Sequence, residues 1–202
     1  MTRYNPKDHY FEKAKILGFK ARSVFKLEEI DQSLKLIKED FVVLDLGCAP
    51  GSWLQYLGKK LGKNGAALGV DLSPVKEKIH PKIKTVVDDC FALSREKLDA
   101  LMTDLVPNFT KFDVILSDMA PKTSGIKHVD QIRSLDLAHR ALDLAEEFLK
   151  TGGHVVIKVF ASKEASELVQ RMKQLFTTVK QMRPKSVRAP SKEFYVVGMQ
   201  KK

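Results

Sequence analysis

Residues 41–53 read FVVLDLGCAPGSW, and this stretch decides the fold. Phe41 to Leu46 is a short, mostly apolar run of the kind that forms a strand buried in a parallel sheet. Gly47 to Gly51 then make a turn of small residues, and helical spacing resumes at Ser52. A residue without a bulky side chain lets backbone approach a ligand closely at such a turn. Strand, glycine turn and helix in that order place the ligand outside the carboxyl end of the strand. Gly47 and Gly51 lack the GxGxxG spacing that seats a dinucleotide pyrophosphate. An acidic residue ahead of the glycines and a second about a strand later, Asp71, suit a ligand with an ammonium group and a ribose. S-adenosylmethionine carries both.

Working outward, the same alternation repeats. Strands are expected at Ala66–Asp71, Ile83–Val87, Phe112–Ser117 and His154–Phe160, with helices near 52–61, 94–105, 129–150 and 163–175 between and after them. Gly152–Gly153 is expected to end the long helix. Two last strands, near 177–182 and 193–199, have only a loop between them and should pair antiparallel. Ahead of the first strand, residues 7–38 carry helical spacing that Gly18 breaks into two helices, with Ser23 near the start of the second. The sum is a doubly wound α/β, Rossmann-like sheet of seven strands with the last strands antiparallel. One domain spanning 1–202, with a basic N-terminal helical extension over about 1–38, accommodates all of it. Asp71, Asp89 and Asp118 each follow a strand end and should face one crevice. The loop Pro184–Pro190 is the most loop-like interior stretch and is expected to move on substrate binding.

The chain of 202 residues carries a formal net charge of +10, concentrated at its two ends. Seven basic residues (Arg3, Lys7, Lys13, Lys15, Lys20, Arg22, Lys26) meet two acids within residues 1–26; seven more (Lys180, Arg183, Lys185, Arg188, Lys192, Lys201, Lys202) meet Glu193 within 180–202. The ends are thus +5 and +6, and the middle is −1. Basic ends interleaved with aromatics such as Tyr4, Tyr10, Phe19, Phe25 and Tyr195 suggest an ordered footprint for a polyanion, with nucleic acid favoured. No apolar run reaches the ~20 residues of a membrane span, and the first residues lack the apolar core of a secretory signal. A cytoplasmic monomer with Cys48 and Cys90 reduced is the expectation. The five histidines show no ligand spacing, so no metal is implied.

Lys158 is the charged residue that most needs a reason. It sits inside the apolar strand HVVIKVF, where an unpartnered ammonium is costly to bury. A lysine that snorkels from the strand end is one account. The other is a base near the crevice, whose proton affinity falls through desolvation and a second nearby cation such as Lys26. Asp118 and Glu193 could then orient the amines and keep the cluster near neutrality.

These residues lie in motifs that resemble the FtsJ/RlmE family of ribosomal RNA ribose 2′-O-methyltransferases. ARSVFKLEEID, LDLGCAPGSW, GVDLSP, LSDMAPKTSG, VDQIRSLDLA, VIKVF and KSVRAPSKEFYVV occur in that family's order and spacing. The resemblance runs from about Tyr10 to Val197. It implies a Lys26–Asp118–Lys158–Glu193 catalytic tetrad with Lys158 as proton acceptor. It further implies S-adenosylmethionine contacts at Gly47, Gly51, Trp53, Asp71, Asp89 and Asp118, with Asp71 on the ribose hydroxyls and Asp89 on the adenine amino group. Asp88 stands where members often carry glycine, so the adenine contact lies at Asp88 or Asp89. Without the resemblance, Trp53 reads as core filler more readily than as a ligand contact. The implied substrate is RNA of the large ribosomal subunit, with a uridine ribose as acceptor. A tRNA ribose methyltransferase and a non-catalytic RNA-binding assembly factor are the alternatives, and a small-molecule methyltransferase fits the basic ends less well.

Overall fold

The computed structural model describes residues 8–202. Arg3, Tyr4 and Lys7 of the basic N-terminal end lie outside the described residues. Seven strands form one sheet: β1 (Val42–Leu46), β2 (Ala66–Asp71), β3 (Ile83–Val87), β4 (Phe112–Ser117), β5 (Leu149–Phe160), β6 (Phe176–Met182) and β7 (Glu193–Lys201). Their spatial order is β3-β2-β1-β4-β5-β7-β6. The first five run parallel, and β7 is antiparallel to both β5 and β6. The last strand in sequence is therefore slotted between two that precede it.

Period-two alternation divides the side chains of each central strand between two apolar layers. In β1, Leu44 and Leu46 pack on one layer and Val43 on the other; in β5, Val155, Ile157 and Val159 oppose Val156. The first layer is covered by α4 (Arg95–Met102), α5 (Lys127–Phe148) and α6 (Ala165–Leu175). The second is covered by α1 (His9–Ile16), α2 (Val24–Leu34) and α3 (Ser52–Lys60). Lys158 falls on the second layer by the same alternation, directly under α2.

Two expectations need correction. The long helix ends at Phe148 rather than near 150, and β5 begins at Leu149, so Gly152–Gly153 lies inside the strand. Leu149 pairs with Phe112 and His154 with Val114, and the irregular register between them takes up the extra residues. A Cβ at Gly153 would stand 2.9 Å from the carbonyl oxygens of Asp113 and Lys150, which is why a glycine serves there. The basic C-terminal end is also not one footprint. The Lys201 ammonium donates to the Ala145 and Leu149 carbonyls at 3.1 Å, at the end of α5, and Lys202 to those of Lys173 and Gln174 at the end of α6. Cations suit helix C-termini, where carbonyls lack backbone partners.

Candidate active site

Three strand ends and one helix converge at the carboxyl edge of the parallel strands. Asp118 follows β4, and its N–H still donates to the Leu46 carbonyl of β1 at 3.1 Å, fixing its backbone. Lys158 lies in β5, opposite Tyr195 of β7, so both side chains emerge on one face of the sheet. Glu193 begins β7 and, two residues from Tyr195, shares that face. Lys26 projects from the first turn of α2, whose Val24, Leu27 and Ile30 are buried in the second layer. That helix is pinned to α3 by two contacts. Trp53 donates its indole N–H to the Ser23 carbonyl at 2.8 Å, and the Ser23 and Ser52 hydroxyls lie 2.8 Å apart.

The four charged groups meet. Lys158 Nζ is 3.0 Å from Asp118 Oδ1 and also donates to the Asp118 carbonyl. Lys26 Nζ is 2.5 Å from Glu193 Oε1 and 3.9 Å from Asp118 Oδ1. The Lys158 side chain is only 5 % exposed, so its charge depends on these partners for solvation. Burial pushes the Asp118 carboxyl up, but the Lys158 and Lys26 ammoniums and the Tyr195 hydroxyl outweigh it and hold the group below the usual 3.8. Tyr195 itself is pushed well up, by burial first and then by Asp118 and Glu193, so its hydroxyl stays a donor.

This cluster separates two concave spaces. On one side is a cavity of about 630 Å³ lined by Gly47, Ala49, Asp71, Leu72, Asp88, Asp89, Phe91, Asp118 and Met119, among others. The expected gathering of Asp71, Asp89 and Asp118 in one crevice is observed. Both Asp71 oxygens accept backbone N–H groups, from Ala49 at 2.9 Å and Ser73 at 2.8 Å, which fixes the carboxylate at the cavity wall. Asp88 is tied to Lys97 at 2.5 Å and to the Asp89 N–H at 2.9 Å, whereas Asp89 accepts from the Phe91 N–H at 3.0 Å. Gly47 has φ +75°, and a Cβ there would meet the Met119 backbone nitrogen at 2.9 Å. Its missing side chain keeps the cavity floor open. Carboxylates among apolar Leu72, Phe91 and Met119 fit a ligand that is part polar and part apolar. On the other side is a groove of about 470 Å³ lined by Arg22, Ser23, Lys26, Ser186, Arg188, Pro190, Ser191 and Glu193.

The remaining expected residues sit apart from the cavity wall. Gly51, at φ +107°, packs toward Ile79 and Val75, and the Trp53 ring is buried 6.1 Å from that of Tyr195. The acid ahead of the glycines, Asp45, is fully buried and does not line the cavity. Burial, then Asp118 and Asp71, push its carboxyl well up. The Pro184–Pro190 loop, expected to move, is held by the Glu29 carboxylate, which accepts from the Lys185 and Ser186 N–H groups at 2.6 and 3.0 Å. Tyr195 was not singled out for chemistry, although its spacing from Glu193 along a strand carried the signal. Among the described residues no group of three or more His, Cys, Asp or Glu could hold a metal, and no helix is long and apolar enough to cross a membrane.

A family model described as FtsJ-like methyltransferase matches residues 19–201. This chain belongs to that family. A relative from Bdellovibrio bacteriovorus, named ribosomal RNA large subunit methyltransferase E, is 49 % identical over 98 % of this chain and 99 % of its own length. A relative of the same name from Desulfatibacillum aliphaticivorans is 44 % identical over 97 % of this chain and 91 % of its own. Among solved structures, a Plasmodium falciparum protein described as a ribosomal RNA methyltransferase superposes with a TM-score of 0.77 at 24 % identity, covering 91 % of this chain and 98 % of the other. That likeness shows the fold. As a member of a methyltransferase family, the chain requires a methyl donor.

Proposed function

We propose that this chain transfers a methyl group from S-adenosylmethionine to a ribose 2′-hydroxyl of large-subunit ribosomal RNA. The observation that carries the reading is the place of the tetrad: Asp118 lines the cavity, Lys26 and Glu193 line the groove, and Lys158 is held between them. The cavity takes the donor, with Asp71 placed for ribose hydroxyls and Asp89, less engaged than the Lys97-bound Asp88, for the adenine amino group. When bound, the donor supplies an electrophilic methyl group on a sulfonium. The groove takes the acceptor ribose, and its arginines meet the RNA backbone.

Lys158 first sheds its proton to solvent; the neutral Nζ amine then takes the 2′-hydroxyl proton while the oxygen–carbon bond forms and the methyl–sulfur bond breaks, which would leave the donor as a neutral thioether. Asp118 and its carbonyl hold that amine in place, and the Lys26 ammonium takes up part of the pull of the Asp118 carboxylate, which eases release of the Lys158 proton. Glu193 in turn positions Lys26. Once Lys158 has taken the proton, two cations balance the two carboxylates, so the cluster accommodates the charge that appears on Lys158 as the charge on the donor disperses. Positioning of two bound reactants supplies much of the remaining acceleration. Residues 1–202 act as one methyltransferase domain in this reading, in the bacterial cytoplasm where the large subunit is assembled. Relatives 49 % and 44 % identical bear the name of such an enzyme, which supports the choice of substrate over tRNA.

The test is methyl transfer from labelled S-adenosylmethionine to large subunits, naked ribosomal RNA and tRNA lacking the modification, followed by digestion to locate the label. Label on one ribose of large-subunit RNA is the expected result. Label on tRNA alone, on a base, or on no RNA would overturn it.

A further inference from the structure

Two arginines of the groove beside Lys26 and Glu193 are paired with an anion supplied by the chain itself. Arg22 and Arg188 line this groove, and both guanidiniums reach one carboxylate, that of Asp8: Arg22 through its NH1 group and Arg188 through Nε, at 3.5 Å. Asp8 is divided between two tasks. Its Oδ1 accepts the Phe11 N–H at 3.1 Å as the N-cap of α1, while Oδ2 faces the arginines. Arg22 is fixed in position, since it also donates to the Ser186 carbonyl and lies 5.5 Å over the Tyr10 ring. The seat between the arginines is thus preformed, and forked guanidinium donors match a phosphate's oxygens as well as a carboxylate's.

The carboxylate in the seat is more open to solvent than those of the tetrad, at 28 % exposed against 16 % for Asp118 and 13 % for Glu193. Its Arg22 partner is 13 % exposed and its Arg188 partner 32 %, so the Arg188 arm of the pair is the more solvated and the weaker. A polyanion offering a phosphate at this place replaces one anion with another and leaves the two arginines paired throughout. We propose that Arg22 and Arg188 form a seat for one backbone phosphate of the acceptor RNA, next to the reacting ribose, and that Asp8 occupies the seat until RNA displaces it. The proposal rests on the reading that this groove takes the acceptor. It adds a selection step: an RNA whose shape does not bring a phosphate to the seat must bind against Asp8 rather than in its place.

Asp8→Asn separates the two tasks, because asparagine is as good an N-cap as aspartate but carries no charge. The experiment is equilibrium binding of large-subunit ribosomal RNA to the full chain across a range of salt, with S-adenosylmethionine titrated by calorimetry in parallel. Asp8→Asn is expected to tighten RNA binding by about five- to tenfold at low salt and to steepen the salt dependence by up to about one ion. Glu147→Gln, an equal change of charge on the exposed side of α5, should do neither. Arg188→Gln is expected to weaken RNA binding about tenfold and to flatten the salt slope by about one, with donor affinity unchanged. Thermal melts confirm that each variant is folded. An Asp8→Asn protein that binds RNA no more tightly than the Glu147→Gln control would overturn the proposal, as would an Arg188→Gln protein with an unaltered slope. Failure of the methylation reading shows separately, as absence of label from the RNA with wild-type protein.

Discussion

Tyr195 Oη lies 2.6 Å from Asp118 Oδ1, and Lys158 Nζ lies 3.0 Å from the same oxygen. The hydroxyl and the ammonium come from cross-strand partners on β7 and β5, so one register fixes both donors against one acceptor. Any slip of β7 would break both contacts. The Tyr195 ring is itself trapped, between the Trp53 ring at 6.1 Å and the Lys26 ammonium at 6.0 Å. A residue of this kind orients the cluster and keeps Asp118 ionised.

Tyr195→Phe keeps the ring and deletes the hydroxyl. A hydrogen bond to a charged group contributes about 1.5–3 kcal/mol, so kcat should fall at least tenfold while donor affinity stays close to wild type. Asp118 loses one of the interactions that hold its carboxyl below 3.8, so the acid loss of stability that it contributes moves to higher pH. The folded-state value is depressed, so the stabilisation it carries is present above 3.8 and is lost as pH falls through the lower folded value. Acid-unfolding curves of Tyr195→Phe and wild type that run parallel would remove Tyr195 from this role.

Lys158→Met retains much of the apolar stem and removes the amine. Loss of general-base catalysis lowers turnover about 10²–10⁴-fold. Asp118 keeps Lys26 and Tyr195, so the stability lost should sit at or below the low end of the roughly 3–5 kcal/mol typical of broken buried pairs. Lys158→Arg preserves a cation without a usable base and should be equally inactive but more stable. Single-turnover assays with both variants check this, and turnover near wild type in either would remove Lys158 as proton acceptor.

Asp45 carries a different pH signature. Burial raises its carboxyl above the usual 3.8 in the folded protein, so stability declines as pH rises above 3.8 toward the raised folded value. Asp45→Asn replaces the acid by a neutral group of similar shape. The variant's melting temperature relative to wild type should therefore be higher at pH 8 than at pH 4.5. Parallel pH dependences for the two proteins would show that Asp45 is not the source of that slope.

Gly47→Ala tests the cavity floor. The added methyl group meets the Met119 backbone at 2.9–3.0 Å, and φ of +75° is disfavoured for alanine. Strain of about 1–3 kcal/mol and a shifted Met119 should weaken S-adenosylmethionine binding by at least tenfold. Calorimetric titration gives the affinity directly, and an unchanged value would mean that the floor yields without cost.

What the sequence made legible follows from how local each signal was. Ala66–Asp71, Ile83–Val87 and Phe112–Ser117 stand where short apolar runs bounded by breakers predict them. The start of β5 was misplaced because Gly152–Gly153 reads locally as a helix stop, whereas pairing of Leu149 with distant Phe112 sets the boundary. Lys158 was conspicuous because an amine inside an apolar strand demands partners. The identity of those partners came from motif resemblance, since contacts between α2, β4 and β7 have no local trace. The burial of Asp45, the capping by Lys201 and Lys202 and the sharing of Asp8 between two arginines are likewise tertiary facts. Net charge alone could not distinguish a cation that closes a helix from one that faces a groove.

The insertion of β7 between β5 and β6 orders events during synthesis. A chain that has left the ribosome only as far as β5 already holds Gly47, Asp71, Asp89 and Lys158, yet has neither Glu193 nor Tyr195 to set Lys26 and Asp118. The donor side can take shape early, while chemistry waits for a strand that must enter between two earlier neighbours, one of them more than thirty residues upstream. Such long-range closure is slow relative to local helix formation. A newly made chain therefore lacks the complete charged cluster until its sheet is finished.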